Sequence, residues 1–348
     1  MAEGTRRVAA IDGAGKISVI EEPIPQPKPG QVQIEVKASM VSPGTELGGI
    51  KGKREKPGDG PPRPFGYSNA GVVIAQGEGC EDIPIGTRVA CMGGGYAQHA
   101  SHGCVPRNMA VEMPDEVSFE DAASNHLVGT ALNAVRRMAP ELGEHAAVVG
   151  LGLVGQFSSQ LLRLSGVHVM ALDRLPLRLK AADEGGAERV VNVDDEDPVE
   201  VCKTFTRGYQ LDGAIMAFGG DGTPALKMLT KMIKISPDTH LMGRVVIVGG
   251  AEISYRFAAG LGNLDVRSSA RTGPGYHDEP WEHGKDYPEV FMQWNTKRNL
   301  EECLRFMASG GLRVAPVITH KVPLSEAPAA CEDLIQRPNE ALGVVFLP

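Results

Sequence analysis

Residues 145–173 read HAAVVGLGLVGQFSSQLLRLSGVHVMALD, with glycines at Gly150, Gly152 and Gly155. A short apolar run precedes the glycines, a stretch with apolar residues at helical spacing follows, and Asp173 closes the next apolar run 18 residues after Gly155. Each position has a physical task. A strand that turns at once into a helix needs a residue tolerant of positive φ, which Gly150 supplies. Gly152 lets the backbone approach a ligand closely, and Gly155 lets helix and strand pack with no side chain between them. Leu153 and Val154 open the helix, where unpaired N–H groups and the positive end of the helix dipole suit a pyrophosphate. Asp173 is then placed to accept from an adenosine ribose 2′-OH and to repel a 2′-phosphate. The pattern predicts a dinucleotide-binding turn, with NAD(H) expected over NADP(H). NADP(H) stays open through Arg174 and Arg178, whose guanidinium groups beside the acid could compensate a phosphate.

The elements around this turn are legible in the same way. Residues 1–126 carry short alternating apolar segments, VQIEVKAS (32–39), AGVVIAQG (70–77) and TRVACMG (87–93), punctuated by PKPGQ and IPIGTR. Such a text predicts a β-rich region. FEDAASNHLVGTALNAVRRM then predicts a helix, and from AAVVG onward strands without polar alternation (HVMALD, RVVNV, LDGAIMAF, RVVIVGG) are separated by helical or loop segments. That alternation predicts a parallel sheet covered on both faces. After about residue 270 a glycine- and aromatic-rich segment, RTGPGYHDEPWEHGKDYP, is followed by a helix in RNLEECLRFMASGG and closing strands in VAPVITHKVPL and GVVFLP. The expected organisation is a nucleotide domain, 127–270, inserted in a β-rich domain formed by 1–126 and 271–348.

Bulk properties narrow the classes. A chain of 348 residues exceeds the ~250–300 residues that one core supports. The net charge of −8 argues against a general affinity for nucleic acid or an anionic membrane. The glycine-broken apolar runs predict no membrane span, and the N-terminus lacks the apolar region of a secretory signal, so cytoplasm is the expected compartment. The six cysteines include no C-x-x-C pair and are expected to be free thiols.

PKPGQVQIEVKAS, GYSNAGVV and IGTRV in the first region, with LGEHAAVVGLGLVG, ALD and GAERVVN in the second, resemble the medium-chain dehydrogenase/reductase superfamily over essentially the whole chain. The segment from RTGPGYHDEPW to VAPVITHKVPLSEA resembles a branch grouped with zinc-type dehydrogenases and sometimes encoded with sugar-modifying genes. The resemblance implies a Rossmann doubly wound parallel sheet inserted in a GroES-like catalytic domain, a homodimer or homotetramer, and a small-molecule substrate. It also implies a subunit contact at RVVIVGG and the residues after it.

In zinc-dependent alcohol dehydrogenases of the superfamily, a Cys-Gly-Thr-Asp, a Gly-His-Glu and a third Cys, His or Glu form the metal site. The matching positions here are Pro43, Gly44, Thr45 and Glu46, and Gly66, Tyr67 and Ser68. Only His126 falls near a third-ligand position, and the cysteines of the structural zinc lobe are missing. A tetrahedral zinc with one open place needs three protein ligands, so no zinc is expected. Cys91, His99, His102 and Cys104 offer another donor set: in an extended strand His102 and Cys104 share a face and His99 points to the other, so packed or solvated residues are expected. Without the cation, some group must hydrogen-bond or protonate the substrate oxygen. The resemblance puts Tyr67 where the reacting carbon lies, with Thr45 as relay, His126 as acid or base, and Glu46 as orienting partner. It also puts Thr130 beside the nicotinamide, Gly249, Gly250 and Ser268 near the carboxamide, and Arg178 near the adenosine ribose. Tyr276, Trp281, Tyr287 and Trp294 are expected to wall the substrate pocket or, alternatively, to order an interface loop.

The expected function is hydride transfer between NAD(H) and a carbonyl or alcohol carbon, the branch resemblance suggesting a sugar or cyclitol. The alternatives are reduction of a C=C bond conjugated to a carbonyl, and nucleotide binding without turnover.

Overall fold

The computed structural model describes residues 4–348. The chain divides into two compact units, Met1–Gly129 with Thr272–Pro348, and Thr130–Arg271, the boundary falling inside the helix Asn125–Met138.

In the first unit a largely antiparallel sheet runs in the order Ile318–Pro323, Gly343–Leu347, Gln31–Met40, Ser68–Gln76, Arg88–Met92, Ala110–Glu112. His102–Pro106 adds to Gln31–Met40. Gln31–Met40 is the hub, and it is buried along nearly all its length. A second, three-stranded sheet is made by Ile17–Pro23, Thr5–Ile11 and Arg63–Pro64. Phe346, Val344, Ile50 and Leu47 pack with Ala9 and Val41 into one core. Two features of this unit differ from the sequence reading. Pro43–Leu47 forms one turn of π-helix that runs into the helix Gly48–Glu55. Three glycines make GGIKGKRE a poor helix by propensity; burial of Ile50 offsets that. The second difference is in VAPVITHKVPL, where Ala315–Val317 is a 3-10 turn and the strand begins only at Ile318.

The second unit is built on a six-stranded, wholly parallel sheet. Its order is Arg189–Asn192, His168–Asp173, His145–Val149, Gly213–Met216, Met242–Val248, Asn263–Ser269. Numbered by sequence, that is the 3-2-1-4-5-6 arrangement of a doubly wound dinucleotide fold, with the topological switch between His145–Val149 and Gly213–Met216. Strands buried on both faces read as continuous apolar runs, which is why these four to seven residue segments were visible. The sixth strand, NLDVRSS, was not. It lies at the sheet edge with charged residues alternating along it, so its text lacks the apolar run. The helix expected over FEDAASNHLVGTALNAVRRM is two helices, Phe119–Ala122 and Asn125–Met138. Among the described residues, no helix is long and apolar enough to cross a membrane.

Candidate active site

In the second unit the glycine turn follows the strand His145–Val149 and opens the helix Leu153–Leu164. Gly150 has φ +88°, the conformation the turn requires of it. A Cβ on Gly155 would lie 1.9 Å from the Gly150 carbonyl oxygen, so helix and turn touch backbone to backbone. A Cβ on Gly152 would meet nothing within 4 Å. The chain thus leaves open space above Gly152 at the start of a helix, the cradle a pyrophosphate needs. Leu153 and Val154 are the first helical residues, and Gly249, Gly250 and Ser268 lie at the same C-terminal edge of the parallel sheet. Asp173 ends the strand His168–Asp173 at that same edge, beside the strand that leads into the glycine turn.

Asp173 does more than a ribose partner would. Its Oδ2 accepts from the Leu151 N–H (2.7 Å) and its Oδ1 from the Arg174 (2.8 Å) and Leu175 (3.0 Å) N–H groups. The carboxylate therefore ties the glycine turn to the end of the neighbouring strand, with Arg178 Nη1 3.6 Å from Oδ2. Gln156, which the sequence did not single out, donates to the carbonyls of Leu151 (3.1 Å) and Arg178 (2.7 Å). Arg174 is exposed and Arg178 half-buried. Thr130 lies one turn after His126 on the helix Asn125–Met138 and is half-buried.

In the first unit Tyr67 sits immediately before the strand Ser68–Gln76. Gly66 holds it there at φ +114°; a Cβ on Gly66 would lie 2.4 Å from the His99 nitrogen, because the His99 N–H donates to the Phe65 carbonyl (3.0 Å). The Tyr67 carbonyl accepts from the Gly93 N–H (2.9 Å) and from His126 Nδ1 (3.0 Å). A carbonyl only accepts, so Nδ1 of His126 carries the proton and Nε2 of the neutral ring is an acceptor. The Tyr67 and His126 rings lie 4.5 Å apart, and Tyr276 meets His126 edge-on at 5.7 Å. The Tyr276 hydroxyl accepts from the Gly94 N–H (2.8 Å).

Burial sets the protonation of both groups. It raises the Tyr67 phenol well above its ordinary value, with the Glu46 carboxylate adding to the rise and the Ser42 and Thr45 hydroxyls opposing it. Burial also lowers His126 to about 4, against the raising effects of the Tyr67 carbonyl and Glu46. At neutral pH the pair is a protonated phenol and a neutral imidazole.

The His126 shift makes a stability prediction. Its folded-state pKa lies below the unfolded value, so the unfolded chain takes up the proton first as pH falls. The contribution is complete above about pH 6.5 and is lost progressively towards pH 4, up to about 3 kcal/mol. His126→Asn keeps an N–H donor near the Tyr67 carbonyl without titrating. Its urea midpoint is expected to fall less between pH 7 and pH 4.5 than that of the parent; parallel curves would exclude the assignment.

The aromatic segment is used differently from expectation. Tyr276 reaches the Tyr67–His126 pair through its ring contact with His126. Trp281 is buried and stacks on Tyr287 (5.9 Å), and Trp294 carries the Arg298 guanidinium over its ring (3.9 Å). His277, with φ +73°, stacks on Tyr276 at 3.9 Å.

Pro43 has no donor atom and Tyr67 and Ser68 replace the Gly-His-Glu pair, while among the described residues no three His, Cys, Asp or Glu side chains are grouped to hold a metal. The other donor set is scattered. His99 lies outside the strand His102–Pro106, so the alternation of faces does not extend to it; Cys104 Sγ donates to the Pro25 carbonyl (3.1 Å). Burial raises the Cys91 thiol above its ordinary value.

A doubly wound sheet with a glycine turn at its switch point, joined in one chain to a unit carrying a buried phenol and imidazole, defines a nicotinamide-dependent oxidoreductase. The family model for zinc-binding dehydrogenases matches residues 154–283. The (R,R)-butanediol dehydrogenase of Bacillus subtilis is 30% identical, the match covering 68% of this chain and 76% of that protein. An L-threonine 3-dehydrogenase of Thermococcus kodakarensis is 26% identical over 92% of each chain. A solved alcohol dehydrogenase from Escherichia coli CFT073, complexed with NADH, superimposes with a TM-score of 0.78, covering 99% of each chain at 20% identity. The chain belongs to the zinc-type alcohol dehydrogenase-like family of the medium-chain dehydrogenase/reductase superfamily.

Proposed function

We propose that this protein interconverts a carbonyl and an alcohol on a small polyhydroxylated molecule, such as a sugar or cyclitol, using NAD(H) and no zinc. The observation that carries the reading is the Tyr67 hydroxyl, bracketed by Ser42 and Thr45 at the sequence position of a lost metal ligand. The bound nicotinamide supplies or accepts the hydride. Tyr67 holds its proton at neutral pH and donates a hydrogen bond to the substrate carbonyl oxygen. As that oxygen gains charge, an O–H bond forms on the substrate and the O–H bond of Tyr67 breaks. An alkoxide is a stronger base than a phenolate, so the transfer runs downhill in spite of the raised phenol pKa. Ser42 and Thr45 stabilise the phenolate, and Thr45, which is exposed, returns a proton from water. Oxidation reverses these steps.

His126 cannot donate from Nε2 in its neutral form, so its role is narrower than acid or base. With Nδ1 bound to the Tyr67 carbonyl, the ring is fixed beside the phenol as part of the site's wall. Butanediol and threonine, named for the relatives, both carry a heteroatom next to the oxidisable carbon. For cofactor choice, Asp173 supports NAD(H).

Fluorescence titration tests the cofactor: NADH is expected to bind more tightly, and NADPH binding at least ~10-fold tighter would overturn the assignment. Paired saturated and α,β-unsaturated ketones with adjacent hydroxyls, assayed with NADH, test the reaction. Turnover of the saturated partner is expected; turnover of the enone alone would assign C=C reduction instead.

A further inference from the structure

Behind Tyr67 lies a fully buried chain of polar side chains to which the proposed chemistry assigns no part. His99 has no exposed surface; its Nδ1 is 2.9 Å from the hydroxyl of Ser39, itself fully buried. Its Nε2 is 3.3 Å from both carboxylate oxygens of Glu46, and only the contact to Oε2 has hydrogen-bond geometry. Glu46 Oε2 also accepts from the Ser42 N–H (2.7 Å), and the Glu46 N–H donates back to the Ser42 carbonyl (3.0 Å). This reciprocal pair closes the π-helical turn Pro43–Leu47. The turn carries Thr45 and follows Ser42, the two hydroxyls that oppose the rise of the Tyr67 phenol.

His99 reaches Tyr67 from the other side through its backbone. Its N–H donates to the Phe65 carbonyl (3.0 Å), its carbonyl accepts from the Ala9 N–H (2.9 Å), and its ring is wedged edge-on between Phe65 (5.0 Å) and Phe346 (5.1 Å). One residue thus fixes the segment that presents Tyr67, and through Glu46 it fixes the turn that presents its hydroxyl partners.

We propose that His99 is the positioning residue for the Tyr67 hydroxyl, acting through the Glu46 carboxylate on Ser42 and Thr45. The proposal rests on the reading that Tyr67 donates to the substrate oxygen. Facing a carboxylate, Nε2 of His99 is the donor and Glu46 the acceptor. Burial makes this bond costly to break, because the buried carboxylate would keep only the Ser42 N–H on Oε2 and the turn would relax to find a second donor. His99 touches neither substrate nor cofactor, so its loss acts on the alignment of the proton donor and leaves substrate binding alone.

Two substitutions separate this role from packing. Glutamine places an amide N–H near the position of Nε2 and keeps the bond to Glu46. Asparagine places its amide near Nδ1, keeping Ser39 and losing Glu46. His99→Asn is expected to lower kcat about tenfold with KM within about twofold, and His99→Gln to stay within about threefold of the parent. Equal losses in the two variants, following their melting temperatures, would overturn the proposal. In a Tyr67→Phe background the His99→Asn loss is expected to shrink to less than about twofold; an undiminished loss would also overturn it.

A crystal structure of His99→Asn reads the proposal without activity. Ser42 and Thr45 hydroxyls withdrawn from the Tyr67 oxygen support it, and hydroxyls in place refute it. Should Tyr67→Phe alone leave turnover intact, the proposed chemistry fails, while the crystallographic result still decides whether His99 holds the turn.

Discussion

Alanine at Gly155 is expected to abolish useful cofactor binding, weakening NADH by ~100-fold or more, about 3 kcal/mol. The added methyl would sit 1.9 Å from the Gly150 carbonyl oxygen and 3.0 Å from its carbon. Both are backbone atoms, so no side chain can swing aside. Either the helix Leu153–Leu164 lifts from the turn or the turn gives up its conformation. Each movement takes the first helical N–H groups away from the phosphate they are placed to bind. The melting temperature should fall as well, since the same contact joins helix and sheet. Gly152→Ala makes the control. Its methyl meets no protein atom within 4 Å, so the fold should be unaffected while the methyl occupies space left for the ligand. Reduced NADH affinity at an unchanged melting temperature is therefore expected for Gly152→Ala. Isothermal titration of both variants checks the pair. Wild-type affinity in Gly155→Ala would mean that this turn does not hold the dinucleotide.

Tyr67→Phe is expected to lower kcat by about a hundredfold, ~3 kcal/mol in the barrier, with little change in KM or stability. The ring contact with His126 at 4.5 Å does not involve the hydroxyl, and the bonds that fix the segment are made by the Tyr67 carbonyl. Phenylalanine therefore keeps the packing and removes only the donor. Steady-state kinetics with the best ketone found would show it. Turnover within about threefold of the parent, under ~1 kcal/mol, would exclude Tyr67 as the donor.

Legibility in the sequence followed the range of the interactions. The glycine turn, the strand before it and Asp173 lie within 29 residues, and local backbone demands fix their types. The inner strands of the parallel sheet were visible because burial on both faces leaves continuous apolar text, whereas Asn263–Ser269, an edge strand with charged residues alternating along it, has none. Spacing marks Asp173 as a ribose partner; that it also holds Leu151 depends on a bond across 22 residues, which no spacing rule announces. The partnership of His99 with Glu46 spans 53 residues and joins a π-turn to a loop, so the sequence shows His99 only as one donor of a metal set that does not assemble. The aromatic segment misled for a related reason. Composition cannot distinguish an aromatic that faces a substrate from one, like Trp281, that is buried beneath the loop.

Metal content measured together with activity tests zinc-free turnover. Untagged protein, purified without chelator, is analysed by elemental mass spectrometry and assayed with NADH before and after dialysis against a strong chelator. Less than ~0.1 zinc per chain and an unchanged kcat after chelation are expected. Close to one zinc per chain, with activity lost on chelation and restored by added zinc, would contradict it and return the search to the histidines and cysteines of residues 91–104.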